Sequence, residues 1–148
     1  MNKTPIFCVY NALGKTYFCQ HHLKWADIDE EFFHITRAPN LLIALQYRLY
    51  TIYGYHIVTN ASPYVMQSLA NNEEFEPILI LPSEEMKEEI IQRIRDRGDD
   101  DWANYLNEIY DDHLGKVLQT PYKKIFLTSG QYLEDVLNED GSLKICFK

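Results

Sequence analysis

Apolar residues in this chain fall into short unbroken runs, separated by stretches where they recur every three or four positions. The first run, Ile6 to Tyr10, predicts a strand buried on both faces, as in a parallel sheet. Asn11-Ala12-Leu13-Gly14 follows as a turn, Lys15 to His22 as a short helix, and Lys24 to Ile28 as a second strand. Between Asn40 and Tyr53 a helical period runs through Leu41, Leu42, Leu45, Leu49 and Ile52, with Gly54 just past its end. Tyr55 to Thr59 reads as a third strand. Ser62-Pro63 opens a helix reaching about Asn71, with Pro63 suited to the first helical position, and Pro77 to Leu81 is a fourth strand closed by Pro82.

Ser83 has the chemistry of an N-cap. Glu84, Glu85, Glu88 and Glu89 crowd the first turns after it and Arg93, Arg95 and Arg97 the last, the distribution a helix dipole favours, and Gly98 ends the helix. Asp101 to Val117 is mainly helical, Lys124 to Leu127 a fifth strand, and Gln131 to Leu137 a last helix. Asp140-Gly141 then turns the chain toward a short edge strand at Leu143 to Phe147. Strands alternating with helices predict an α/β fold: three layers around a central parallel sheet of about five strands, in a single domain over residues 1–148. In such sheets ligands bind beyond the carboxyl ends of the strands, so the strand-to-helix turns carry the chemistry.

Composition narrows the class. Hydrophobic residues make up 46% and charged residues 24%, as in folded domains, and 148 residues suffice for one core. The 11 Tyr, 7 Phe and 2 Trp are read as core and groove lining. A net charge of −8 sets an acidic surface against phosphate backbones and disfavours general nucleic-acid binding. No apolar run approaches the roughly 18 residues of a membrane span, so no membrane partner is expected. Cys8, Cys19 and Cys146 have no metal-like spacing, and Met1 to Pro5 has no leader-like character; reduced thiols in a cytoplasmic protein are the expectation. His21 and His22 face different ways on a helix, and His34, His56 and His113 are scattered, which argues against a zinc set.

Three stretches could carry chemistry. Gly14-Lys15-Thr16, between a buried strand and a helix, matches the end of the phosphate-binding motif GxxxxGK[ST], with Val9 where its first glycine would stand. Main-chain amides of Asn11, Ala12, Leu13 and Gly14 would cradle phosphates, Lys15 would reach the β- and γ-phosphates, and Thr16 would hold Mg²⁺. A turn glycine ahead of an ordinary helix fits the same residues. Asp27 and Asp29 point the same way off an extended segment and can share a metal or a substrate hydroxyl, while Asp29 equally suits a helix cap. Arg93 and Arg97 share one helix face and could cover a transferring phosphate from a closing lid, or simply form a solvated helix end. Asn60, at the end of the third strand, could make a polar contact to substrate or cap the next helix.

Together, Tyr10 to Phe18, Asp27-Ile28-Asp29, Ile80-Leu81-Pro82-Ser83, Arg93 to Gly98 and Ser129 to Leu137 resemble a family. It comprises small P-loop kinase-like proteins, related in pattern to nucleoside monophosphate kinases and frequently encoded by phages and prophages of low-GC Gram-positive bacteria. The resemblance covers roughly residues 5 to 137. It implies a P-loop NTPase-like fold with an arginine-bearing helical lid at about 84–118. It also implies ATP or another nucleoside triphosphate with Mg²⁺ as cofactors, and a nucleotide or similar small phosphate acceptor. Lys15 and Thr16 would then take the donor phosphates and metal, Asp27 and Asp29 the metal or acceptor, and Arg93 and Arg97 the transferring phosphate. The segment Thr59 to Met66 lacks the arginine that family members often carry there. The competing expectations are a scaffold that binds nucleotide without turnover, and a phage protein acting on a host factor in the host cytoplasm. The oligomeric state stays open.

Overall fold

A computed structural model describes residues 3–28, 48–70 and 73–144. Five strands are present among these residues: β1 (Thr4–Val9), β2 (Trp25–Asp27), β3 (His56–Asn60), β4 (Phe75–Pro82) and β5 (Lys123–Leu127). They form one sheet in the order β2-β3-β1-β4-β5, and every neighbouring pair is parallel. The helices are α1 (Lys15–His21), α2 (Pro63–Leu69), α3 (Lys87–Asp96) and α4 (Asp100–Leu118), and residues 48–52 are also helical. The fold is α/β around a parallel sheet, as the alternation of elements predicts.

β1 lies at the centre because its side chains are apolar in both directions. Ile6 pairs with Ile57 on one side and Pro77 on the other, Val9 with Asn60 and Ile80, and Ile6 through Val9 are all buried. Successive residues point to opposite faces. Phe7 meets Trp25 at 5.5 Å between ring centroids, and Trp25 meets Phe18 of α1 at 4.9 Å. Tyr10, three positions on and so on the other face, packs edge-on against Tyr110 and His113 of α4. The two faces are thus covered by α1 and by α4. Right-handed crossovers require this, since β1 to β2 moves one way along the sheet and β3 to β4 to β5 the other. Each fully buried Phe, Leu or Ile contributes about 1.5–3 kcal/mol.

Ser62 caps α2 by accepting from the Val65 amide at 3.3 Å, with Pro63 in the first turn, as expected. Other boundaries differ. β4 begins at Phe75 because β1 offers partners back to Thr4. Ser83 leads into a 3-10 turn at Glu84–Met86 without a side-chain cap, and α3 starts only at Lys87. The helix expected at Gln131 to Leu137 is a single 3-10 turn, Leu133–Asp135. Val136 leaves helical geometry, its carbonyl accepts from the Lys144 amide, and Leu137 bridges Leu143 antiparallel, so the chain doubles back. The expected start of the long helix at Asn40, the site candidate Asp29 and the rest of the tail strand lie outside the described residues. Among the described residues no helix is long and apolar enough to cross a membrane.

Candidate functional site

The direction of winding reverses around β1: the connection leaving it runs one way, to β2, and the connection from β3 to β4 crosses it in the other. The crevice beyond its carboxyl end is therefore where an open α/β sheet admits a ligand. The turn Asn11 to Gly14 sits there. Ala12 (φ 61°) and Gly14 (φ 89°, ψ 24°) are both left-handed, which bends the chain sharply into α1. Leu13 sends its side chain into the core, while its carbonyl accepts from the Leu133 amide at 2.7 Å. The backbone of Leu13 thus belongs to the turn and its side chain to the packing. The amides from Asn11 to Tyr17 find no acceptor among the described residues; Phe18 N, bonded to Gly14 O at 2.9 Å, is the first that does. Donors bunched on such a concave turn suit an anion.

Beside them stands a compact charged cluster. Lys15 Nζ lies 2.6 Å from Asp27 Oδ1, and Thr16 Oγ1 donates to Asp27 Oδ2 at 3.2 Å. The side chains of Lys15 and Asp27 are only 18% and 25% exposed. Asp27 reaches them because it ends β2, against which α1 packs. A hydroxyl and a carboxylate side by side form a hard-oxygen pair, the donor set Mg²⁺ takes from a protein when phosphates and waters complete its shell. The residues present therefore fit that ion.

Arg93 has another employment. Its Nη1 donates to Ala12 O at 3.0 Å and its Nη2 to Gln131 O at 3.1 Å, and its guanidinium lies 3.9 Å from the centre of the Tyr132 ring. Nη2 also pairs with Glu89, whose carboxylate accepts from Ser129 Oγ and from the Gly130 amide at 3.0 Å. These bonds hold the carboxyl of Glu89 below its usual range, the Ser129 hydroxyl contributing most. Tyr132 in turn lies 3.2 Å from where a side chain on Gly14 would begin. Arg93 thus clamps the turn after β1 to the loop after β5, and at 13% exposure it is not free to travel to a phosphate. Residues 84–118, expected as a lid, contribute Met86, Ile90, Ile94, Ala103 and Leu106 to the shared core.

A cleft of about 860 Å³ opens in front of the turn. Its lining comes from the turn and the start of α1 (Asn11, Ala12, Gly14, Lys15 and Thr16), from Asn60 and the start of α2, and from Trp102, Tyr105, Ile109 and His113 of α4. Arg97, exposed at the end of α3, also lines it. His113 Nδ1 is 2.9 Å from the Tyr10 hydroxyl, and burial lowers the imidazole below its ordinary value, which keeps it neutral at physiological pH. Burial pushes the Cys19 thiol up to about 12, with Asp27 adding to the shift, so Cys19 packs rather than attacks.

The structure thus brings Asn11, Ala12, Gly14, Lys15, Thr16, Asp27 and Arg97 together, and commits Arg93 to bracing the turn itself through Ala12 O. Trp102, Tyr105 and Ile109 were not singled out from the sequence. Their spacing was a usable signal: they form an i, i+3, i+7 stripe displaced by one position from the buried stripe Ala103, Leu106, Tyr110.

No protein-family model matches the chain, and no curated protein matches it. A solved structure of an uncharacterized protein from Eubacterium ventriosum ATCC 27560 is similar at 11% identity, with a TM-score of 0.49, over 88% of this chain and 92% of that one.

Proposed function

We propose that the protein binds a nucleoside triphosphate with Mg²⁺ at the turn after β1 and acts as a phosphotransferase on a nucleotide or similar small acceptor. One observation carries this reading: Lys15, Thr16 and Asp27 meet within hydrogen-bonding distance beside a turn whose amides have no acceptor among the described residues. A polyphosphate there would exchange water for main-chain donors and the Lys15 ammonium. Thr16 and Asp27 would hold Mg²⁺, which when bound neutralises charge on the donor phosphates. Lys15 would cover the charge on the transferred group, and Arg97, exposed and lining the same cleft, would add a second cation. In the transfer, the acceptor oxygen bonds to the γ-phosphorus, the bond to the bridging oxygen breaks, the diphosphate leaves, and any proton on the acceptor oxygen passes to water.

Thermal-shift titration with ATP, GTP and dNTPs, with and without Mg²⁺, tests the reading. Ligand at a hundredfold excess over Kd adds about 2.7 kcal/mol to native stability. Lys15→Ala is expected to abolish the shift. A wild-type protein indifferent to every nucleotide would refute it.

A second reading, a P-loop-like binder without turnover, is favoured by Arg93, whose donors are committed to Ala12, Gln131 and Glu89. Nucleotide-dependent stabilisation without ADP release across a screen of acceptors would select it. Action on a host factor would be a variant of the same reading.

A further inference from the structure

We infer that the α4 wall of the cleft is a platform for a planar heterocyclic ring, so that the molecule bound in the same cleft as the phosphate turn is a nucleoside or nucleotide held by stacking on Trp102 and Tyr105. As an assignment of the acceptor, this rests on the phosphotransferase reading; the ring site stands on its own observations. α4 needs one apolar stripe to join the core, and Ala103, Leu106, Tyr110, Leu114 and Val117 supply it. It carries a second. Trp102, Tyr105 and Ile109 lie on an adjacent face and line the cleft, with Trp102 and Tyr105 5.7 Å apart between ring centroids and Tyr105 54% exposed. Trp102 and Ile109 are half-buried and pack against the edge of the core, but the exposed ring of Tyr105 extends the stripe beyond what that packing uses, on a helix already anchored by its neighbouring face. Aromatic side chains lose little conformational entropy on binding and present flat, polarisable surfaces.

The occupant follows from what else the cleft contains. Its volume of about 860 Å³ falls among small-molecule sites, and the turn that suits a phosphate lines the same cleft. Pro63 and Tyr64 of α2 share the lining with the two rings. Asn60 and His113 add polar contacts, and a neutral imidazole suits the edge of an uncharged heterocycle better than an anion. A ligand that is flat and uncharged at one end and phosphorylated or hydroxylated at the other matches this combination of groups. An isolated sugar phosphate or an extended peptide does not.

Trp102 also supplies the readout, because the other tryptophan, Trp25, is buried under Phe7, Phe18 and His56. Wild-type protein, Trp102→Leu and Tyr105→Ala would be titrated with nucleosides, nucleoside monophosphates, ribose 5-phosphate and inorganic tripolyphosphate. Tryptophan fluorescence and calorimetry would follow binding. Saturable quenching by one or more nucleosides or monophosphates is expected, with affinity lowered about tenfold or more in each variant and tripolyphosphate binding unchanged. Tyr105→Ala alters a surface position and keeps the test informative should Trp102→Leu fold poorly. The inference is overturned if tripolyphosphate binds while no ring compound does, if ribose 5-phosphate binds as tightly as the nucleotides, or if both variants bind rings like wild type. Ring binding without tripolyphosphate binding would instead sink the phosphate-turn reading and leave the platform standing.

Discussion

Replacing Asp27 with Asn should reverse the metal dependence of nucleotide binding rather than simply weaken it. The Asp27 carboxylate holds Lys15 at 2.6 Å and Thr16 at 3.2 Å, so the lysine that would meet a phosphate has an anionic partner within the protein. A nucleotide arriving without metal must take Lys15 from Asp27 and place its own charge beside that carboxylate. A hydrogen bond between charged groups is worth about 1.5–3 kcal/mol, and both side chains are largely shielded from water. Removing the competition should therefore strengthen binding of metal-free ATP roughly ten- to hundredfold. In Mg²⁺ the same substitution removes a metal oxygen and weakens binding. Isothermal titration of wild type and Asp27→Asn with ATP, in EDTA and in MgCl₂, gives four affinities. The ratio of Mg²⁺ to EDTA affinities should be well above one in wild type and fall to one or below in the variant. Equal ratios in the two proteins, or weaker EDTA binding in Asp27→Asn, would refute the reasoning.

Other consequences are structural. Arg93→Met should lower unfolding stability by about 2–4 kcal/mol, because it strands the carbonyls of Ala12 and Gln131 and leaves Glu89 without its cation; Arg93→Lys should rescue little, since an ammonium cannot span both carbonyls while stacking on Tyr132. Urea denaturation of both variants checks this. Gly14→Ala places a side chain at φ 89°, against the Tyr132 ring, and should cost about 1–2 kcal/mol from backbone strain alone, read as a lower midpoint. Glu89 has a depressed native pKa, so its contribution is complete above the ordinary glutamate value and is lost as pH falls through the lower native one. Wild type should accordingly lose more stability than Glu89→Gln on acidification below about pH 4.5, and parallel stability–pH curves would contradict the assignment.

What the sequence could disclose follows from how local each cause is. β1 is legible because Ile6 to Val9 are apolar on both faces, and the turn because Gly14 precedes Lys15 and Thr16 at the required spacing. Asp27 was also readable as a partner of that turn, since a carboxylate ending the next parallel strand emerges at the same rim of the sheet. Arg93 was not. Its contacts cross 81 residues to Ala12 and 38 to Gln131, so its use depends on how α3 lies over two loops, which no periodicity encodes. The helix expected after Ser129 failed for a similar reason: Val136 and Leu137 are taken by pairing with the returning tail. The α4 platform was encoded locally, as a second stripe one residue out of phase with the first, and it was obscured because aromatic residues are ordinarily assigned to a core.

The central claim is that the main-chain amides between β1 and α1 receive the phosphates. Amide NMR of isotope-labelled protein titrated with MgATP tests it most directly. The largest shifts should fall on Ala12 to Thr16, with Lys15→Ala erasing them. Shifts confined to other parts of the chain, or none at saturating nucleotide, would contradict it.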